Sequence, residues 1–123
     1  MPLTTAGRNH AVGLLIGEAL TPFNNANAHI GVGNGVTVFS AADTDLAGAS
    51  KARKAMDATY PTRATNVVTY RSTFATADAN FAWDEVGSFN AATANVMQTR
   101  VVSALGTKTS SATWQMTLTV TFS

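Results

Sequence analysis

Two histidines and two adjacent carboxylates are the residues whose types could serve in catalysis or metal binding. His10 and His29 lie in different predicted elements without an evident carboxylate partner, which favours structural or surface roles over a metal site. Asp84 and Glu85 are neighbours on a predicted strand, so their side chains point to opposite faces and do not form an acid–base pair. The chain has no cysteine and no Gly-x-Ser-x-Gly motif to provide a nucleophile. We therefore expect a protein that is not an enzyme and that binds no metal ion and no cofactor.

Two further segments raise the question of a phosphate or calcium site. Residues 33–35 (Gly-Asn-Gly) follow a predicted strand, but the Lys-Ser/Thr of a phosphate-binding loop is missing, and residues 36–39 have the pattern of a strand. We interpret the glycine-rich segment as a tight turn with positive φ angles that joins the two strands as a hairpin. Asp43 and Asp45 lack the glycine and the distal glutamate of an EF-hand loop, so we expect solvated residues that cap one helical turn.

The composition limits the classes of partner. The 123 residues carry a formal net charge of +1, which gives no electrostatic signal for nucleic acid or an anionic membrane. No run approaches the roughly 20 apolar residues of a membrane span. Charged residues make up only 12% of the chain, about half the usual share, so a surface of Ala, Thr, Asn and Ser indicates contacts with other protein. An ordinary bland surface is the alternative.

A predicted hairpin, residues 80–90 followed by residues 96–102, positions the adjacent carboxylates and organises the chain. The segment between the two runs is small and polar, as is typical of a hairpin connection. A turn centred between residues 92 and 93 gives three opposite pairs, which are Trp83 and Val102, Phe89 and Val96, and Glu85 and Arg100. A buried carboxylate and guanidinium are tolerated only when they pair with each other. The alternative is a register slip that leaves both charges in solvent.

The same hairpin carries a succession of short motifs. An aromatic residue, a Glu-hydrophobic-Gly-x-Phe motif, a polar loop, a hydrophobic pair and a basic residue occur as Trp83, Glu85-Val86-Gly87, Phe89, residues 90–95, Val96-Met97 and Arg100. This succession resembles a pattern in small structural proteins of tailed bacteriophages. The resemblance extends to residues 29–33 and 106–109 and covers about residues 9–123. It implies a β-rich accessory domain of a virion and does not imply a chemistry.

The N-terminal residues 1–8 are predicted to form a flexible arm, because they contain little that could be buried. Residues 9–123 are predicted to form a single domain. The apolar run after Arg8 is short and is interrupted by Gly17 and Glu18, so we do not expect it to be a signal peptide.

The domain is predicted to begin with a helix from Asn9 to Leu20. Asn9 is a good N-cap, and Thr21 with Pro22 would end the helix. Apolar residues recur at helical spacing, namely Val12, Leu15, Ile16 and Ala19. Glycines within the helix weaken it by roughly 1 kcal/mol each, so we expect this apolar face to pack on the domain.

Alternation of apolar and polar residues predicts the remaining strands. Residues 51–58 are ambiguous, because their Ala and Lys content favours a helix, and we interpret them as an edge strand guarded by Lys51, Arg53 and Lys54. Residues 65–74 are predicted to form a half-buried strand. The strongest strand is the last, with one apolar face (Trp114, Met116, Leu118, Val120, Phe122) and one threonine-rich face. The pattern predicts a mainly β fold, an antiparallel β-sandwich (jelly-roll-like) with one N-terminal helix.

Together these observations predict an accessory structural protein of a tailed-phage virion, in particular a capsid decoration or cement protein that bridges capsid subunits. The expected partners are the major capsid protein or other virion proteins, together with further copies of the chain, and neither nucleic acid nor a membrane. Many weak contacts would then add up by multivalency. The alternatives are a small tail, neck or baseplate component, and a module that binds carbohydrate or a cell surface. We expect assembly in the host cytoplasm and a final location in the virion.

Overall fold

The computed structural model describes residues 2–123, which form one helix and seven strands. These elements are α1 (Thr5–Leu15), β1 (His29–Gly33), β2 (Lys51–Ala55), β3 (Thr62–Ala64), β4 (Val67–Phe74), β5 (Ala82–Phe89), β6 (Met97–Thr107) and β7 (Trp114–Thr121). The strands make two antiparallel sheets, one of four strands in the order β2-β1-β5-β6 and one of three strands in the order β3-β4-β7. The predictions of a mainly β chain and of one N-terminal helix are confirmed, and the edge strand predicted at residues 51–58 is present as β2, over Lys51–Ala55.

Both sheets contribute side chains to the main hydrophobic cluster. Trp83 of β5 contacts Phe74 of β4 edge to face, with 4.8 Å between the ring centroids. The other buried members are Ala28, Ile30, Val32, Tyr70, Val86, Leu118 and Val120. The predicted alternation in β7 is confirmed, because Leu118 and Val120 are buried while Thr117, Thr119 and Thr121 are exposed. The apolar face of this strand therefore belongs to the core.

The predicted hairpin between β1 and residues 36–39 is wrong. β1 pairs with β2 on one side and with β5 on the other, so no edge of β1 is free for the residues that follow it. Residues 34–50 instead form a long connection without a strand. Neither Gly33 nor Gly35 has a positive φ angle, so their presence has another cause. That cause lies in the buried ion pair described below.

The helix begins and ends earlier than predicted. Thr4, not Asn9, is the N-cap, and its side chain accepts a hydrogen bond of 2.9 Å from the Gly7 amide. The helix ends at Leu15 because Gly17 adopts the left-handed conformation, with φ of 84°. The Glu18 amide then donates to the Gly13 carbonyl, as in a Schellman cap.

Because α1 begins at Thr5, part of the segment predicted to be a flexible arm is ordered against the domain. Leu3 forms a β-bridge with Thr99 of β6, and the Thr4 amide donates to the Gln98 carbonyl at 2.9 Å. The Thr4 side chain is fully buried. Half of the predicted arm is therefore helix, and the residues just before it lie along the outer edge of β6.

The pairing of β5 with β6 is confirmed, but the predicted register is wrong. The observed opposite pairs include Trp83 and Gly106, Glu85 and Val102, and Phe89 and Met97. Two irregularities, one between Trp83 and Glu85 and one between Ser88 and Phe89, shift the register. As a result Trp83 joins the main cluster, whereas Phe89 packs with Leu46 and Met97 in a second, smaller cluster.

We expect Leu118→Ala to lower the free energy of unfolding by about 2–5 kcal/mol, because it removes a fully buried side chain and leaves a cavity. Thr119→Ala on the exposed face of the same strand is the matched control and should cost less than about 1 kcal/mol. Denaturant unfolding of both variants measures the difference. Equal losses would contradict the assignment of the inward face of β7.

Candidate functional site

A buried ion pair joins β5 and β6. The Arg100 Nε atom donates to the Glu85 carboxylate at 2.7 Å, and the two side chains are 1% and 0% exposed. The prediction of a buried, paired Glu85 and Arg100 is therefore confirmed, although the two residues are not directly opposite. Glu85 faces Val102 and Arg100 faces Gly87, so the pair crosses the hairpin diagonally.

The Glu85 carboxylate also holds the long connection between β1 and β2. It accepts hydrogen bonds from the amides of Gly35 (2.9 Å), Ala47 (2.9 Å) and Gly48 (2.7 Å). A Cβ atom on Gly35 would lie 2.5 Å from the Gly48 nitrogen, and one on Gly48 would lie 2.6 Å from the Gly35 nitrogen. Glycine is needed at both positions because the backbone must approach this closely. The glycine-rich segment thus does bind an anion through its amides, and the anion is the chain's own carboxylate.

The Arg100 guanidinium completes this arrangement with two further contacts. Its Nη1 atom donates to Asp43 at 3.0 Å, and its Nη2 atom donates to the Thr37 carbonyl at 2.8 Å. The prediction that Asp43 is a solvated cap of a helical turn is wrong, since residues 43–46 contain no helix and the carboxylate pairs with Arg100. Every charged group of the cluster has a partner within the chain. The cluster is therefore suited to fixing the connection and not to binding a substrate.

Burial and hydrogen bonding act on Glu85 in opposite directions. Burial by itself would raise the pKa of the Glu85 carboxyl. The hydrogen bonds from the Ala47 amide, the Arg100 guanidinium and the Gly48 and Gly35 amides outweigh burial, so that the pKa lies below its ordinary value of 4.5. The folded protein therefore keeps Glu85 ionised.

Each histidine forms a hydrogen bond with a backbone carbonyl group. The Nε2 atom of His10 lies 2.7 Å from the Thr21 carbonyl oxygen, and its ring contacts Phe23 edge to face. The Nδ1 atom of His29 lies 2.8 Å from the Asn27 carbonyl oxygen. In residues 2–123 no group of three or more His, Cys, Asp or Glu side chains is arranged to hold a metal ion. No helix in the described part of the chain is long and apolar enough to cross a membrane.

The helix packs with the opposite face from the one predicted. Its buried residues are Gly7, His10 and Gly13. Two apolar residues of the helix and its C-cap are instead turned to solvent, with Val12 59%, Leu15 83% and the C-cap Ile16 71% exposed. We call these three residues the α1 apolar surface. The prediction that they pack on the domain is wrong. The buried three recur at helical spacing as well, so the sequence contains two competing faces.

A groove adjoins the α1 apolar surface. It has a volume of about 550 Å³ and lies between α1 and the end of β7. Its apolar lining comes from Leu3, Val12 and Phe122, with Arg8 on its helical side. Val12 belongs to both features, so apolar surface continues from the exposed helix into the groove. This is a shape suited to contact with another protein.

We expect Glu85→Ala to lower the free energy of unfolding by about 3–5 kcal/mol, because Arg100 would stay buried with one partner fewer and three amides would lose their acceptor. Lys51→Ala is the control, since it removes an ion pair with Asp45 whose side chains are about two-fifths exposed, and it should cost at most about 1 kcal/mol. Denaturation midpoints at neutral pH compare the two. Equal losses would contradict a structural role for the buried pair.

The lowered pKa of Glu85 predicts a dependence of stability on pH. Since the folded protein binds this proton less readily than the unfolded chain, the contribution is complete above a pH of about 4.5 and is lost as the pH falls through the lower pKa of the folded state. Below pH 4.5 the parent should therefore lose stability more steeply than Glu85→Gln. The hydrogen bond from Lys54 lowers the pKa of Asp78. At Asp45 partial burial is outweighed by hydrogen bonds and nearby positive charge, chiefly from Lys51, so that its pKa is lowered too. Both groups titrate in both proteins, so their contributions cancel. Denaturant unfolding across this pH range measures the slopes, and parallel slopes would refute the assignment.

Comparison with known proteins assigns no family to this chain. No protein-family model matches the chain, and no match is found among curated proteins or among solved structures.

Proposed function

We propose that this chain is an accessory structural protein of a tailed-phage virion and that it acts as a capsid decoration protein bridging capsid subunits. The observation that carries the proposal is the α1 apolar surface, which turns Val12, Leu15 and Ile16 to solvent although a helix normally buries such residues. A helix that exposes its apolar side and buries glycine is suited to contact with a second protein. The resemblance of residues 83–100 to phage structural proteins indicates that this second protein is another component of the virion.

We also infer that the two sheets pack face to face as a β-sandwich. The inference is supported by the main cluster, in which Trp83 and Val86 of one sheet lie with Phe74 and Leu118 of the other. A jelly-roll-like connection of the strands stays a prediction. A packed pair of sheets, with its longest connection held by a buried ion pair, is a rigid body that can hold the helix in a fixed orientation.

The proposed mechanism is adhesion through a small apolar contact that is repeated many times. Full burial of each of the three side chains contributes roughly 1.5–3 kcal/mol, and the loss of freedom on association offsets part of this. One copy would therefore bind weakly. Copies that occupy equivalent junctions of a capsid, or that are linked to one another, bind with much greater avidity. The partner that fits is an uncharged apolar recess between neighbouring capsid subunits.

We expect Leu15→Asp combined with Ile16→Asp to abolish binding to phage heads that lack the protein, because the change places two charges in an apolar contact. Both residues are exposed, so the variant should stay folded and melt only slightly below the parent, because two carboxylates at the C-terminal end of α1 oppose the helix dipole. Ala58→Asp, an exposed position in the turn after β2, is the control for added negative charge and should bind like the parent. Co-sedimentation with heads and thermal melts measure the two properties.

The location of the bound protein tests the class of function. Electron microscopy should show added density on the head lattice in the presence of the parent and none in the presence of the double variant. Density at the neck, tail or baseplate would replace the decoration proposal with the tail-component alternative. Density at a receptor-binding tip, together with glycan binding, would favour the carbohydrate-binding alternative. Unchanged head binding by the double variant would exclude the α1 apolar surface as the contact.

A further inference from the structure

The sheet order leaves four outer strands, and two of them are protected against pairing with other chains. β2 carries Lys51, Arg53 and Lys54, and β3 is only three residues long and contains Arg63. Charged side chains and short length are the usual ways in which a sheet edge is kept from pairing. These two edges therefore have the features expected of a surface that stays in solvent.

The other two outer strands, β6 and β7, have no such protection. Residues 101–107 of β6 and residues 114–121 of β7 contain no charged side chain. The one charged residue between Val101 and the C-terminus is Lys108, which is 1% exposed and donates to the Ala75 carbonyl and to Asn80. An uncharged outer strand of this length is a ready template for another strand.

The unprotected parts of β6 and β7 lie along the same side of the molecule. Leu105 of β6 and Trp114 and Met116 of β7 line one groove of about 410 Å³. Trp114 and Met116 pack against the main cluster while remaining partly exposed, and Trp114 meets Trp83 edge to face at 5.0 Å. We call residues 101–107 and 114–121 the β6/β7 side. On this side, Trp114 and Met116 at the margin of the hydrophobic core are partly exposed to solvent.

The outer edge of β6 already pairs with a short extended segment of the chain itself. Leu3 bridges to Thr99, and the Thr4 amide bonds to the Gln98 carbonyl on this edge. The N-terminal segment turns into α1 immediately afterwards, so it covers only the beginning of β6. Within the described residues nothing pairs with the edge beyond Thr99.

We propose that the β6/β7 side binds a second copy of this chain. A second copy presents the same uncharged strands, so the contact opposes no like charges and leaves no charge buried without a partner. Together with residues 108–113 and 122–123, the β6/β7 side has 20 residues that are at least partly exposed, which is the lower end of the about 20–30 residues a side of a stable interface. The area needed, about 800 Å² per partner, is about one eighth of the 6245 Å² accessible surface of the chain. The α1 apolar surface, with three residues, is too small for this, so the two contacts are separate.

The test uses the full-length protein and two matched double variants. Val102→Lys with Leu105→Lys places two exposed lysines on the β6/β7 side, and Ala55→Lys with Ala64→Lys places two exposed lysines on the protected strands β2 and β3. Light scattering and sedimentation at micromolar concentrations measure the mass. We expect the parent and the β2/β3 variant to have at least twice the monomer mass, and the β6/β7 variant to have the monomer mass at an unchanged melting temperature.

The remaining outcomes overturn the proposal. A monomeric parent at these concentrations excludes self-association, and a β6/β7 variant that stays oligomeric places the contact elsewhere. Equal dissociation of both variants would show an effect of charge alone. If the β6/β7 variant melts early, Ser103→Lys, which is also exposed on β6, replaces it, and an oligomeric Ser103→Lys protein overturns the proposal. The result does not depend on phage heads, so it can fail while the proposed function holds.

Discussion

A carboxylate buried in the interior stays ionised only if hydrogen-bond donors surround it, and much of this structure follows from that constraint at Glu85. The Arg100 guanidinium supplies one donor, and the amides of Gly35, Ala47 and Gly48 supply three more. The amides come from the long connection after β1, which must therefore lie on the sheet and approach the carboxylate closely. Removing water from two charges costs several kcal/mol, and only a complete set of partners offsets that cost.

The helix illustrates how a backbone contact can override an apolar pattern. Thr4 and the residues before it are bonded to the edge of β6, which fixes where α1 begins. The side of the helix that faces the sheet then carries Gly7, His10 and Gly13, and the larger apolar residues are left outside. Such an arrangement stabilises the monomer less than burial of the apolar side would. It is understandable if the exposed side is used for binding.

The sparse charges of the chain are unevenly distributed over its surface. The basic residues of β2 pair with Asp45 and Asp78, so that side is polar and salt-bridged, whereas the β6/β7 side has no exposed charge. The proposed self-contact and the proposed capsid contact use different parts of the molecule. A second copy joined along the β6/β7 side would present a second α1 apolar surface, and two linked weak contacts raise the affinity for a repeating lattice.

The sequence by itself determined the elements whose signal is local, and it also determined one distant contact. Alternation in β7 predicts its buried face correctly, because residues on a strand point to opposite sides in turn. The Glu85–Arg100 pair was predictable because two opposite charges on an apolar hairpin need each other. The tertiary structure alone decided the register of that hairpin, since the irregularity after Trp83 has no signature in the residues around it. It also decided which face of α1 is buried and which anion the glycine-rich segment binds, because both depend on backbone that is distant in sequence, β6 for the helix and β5 for the glycines.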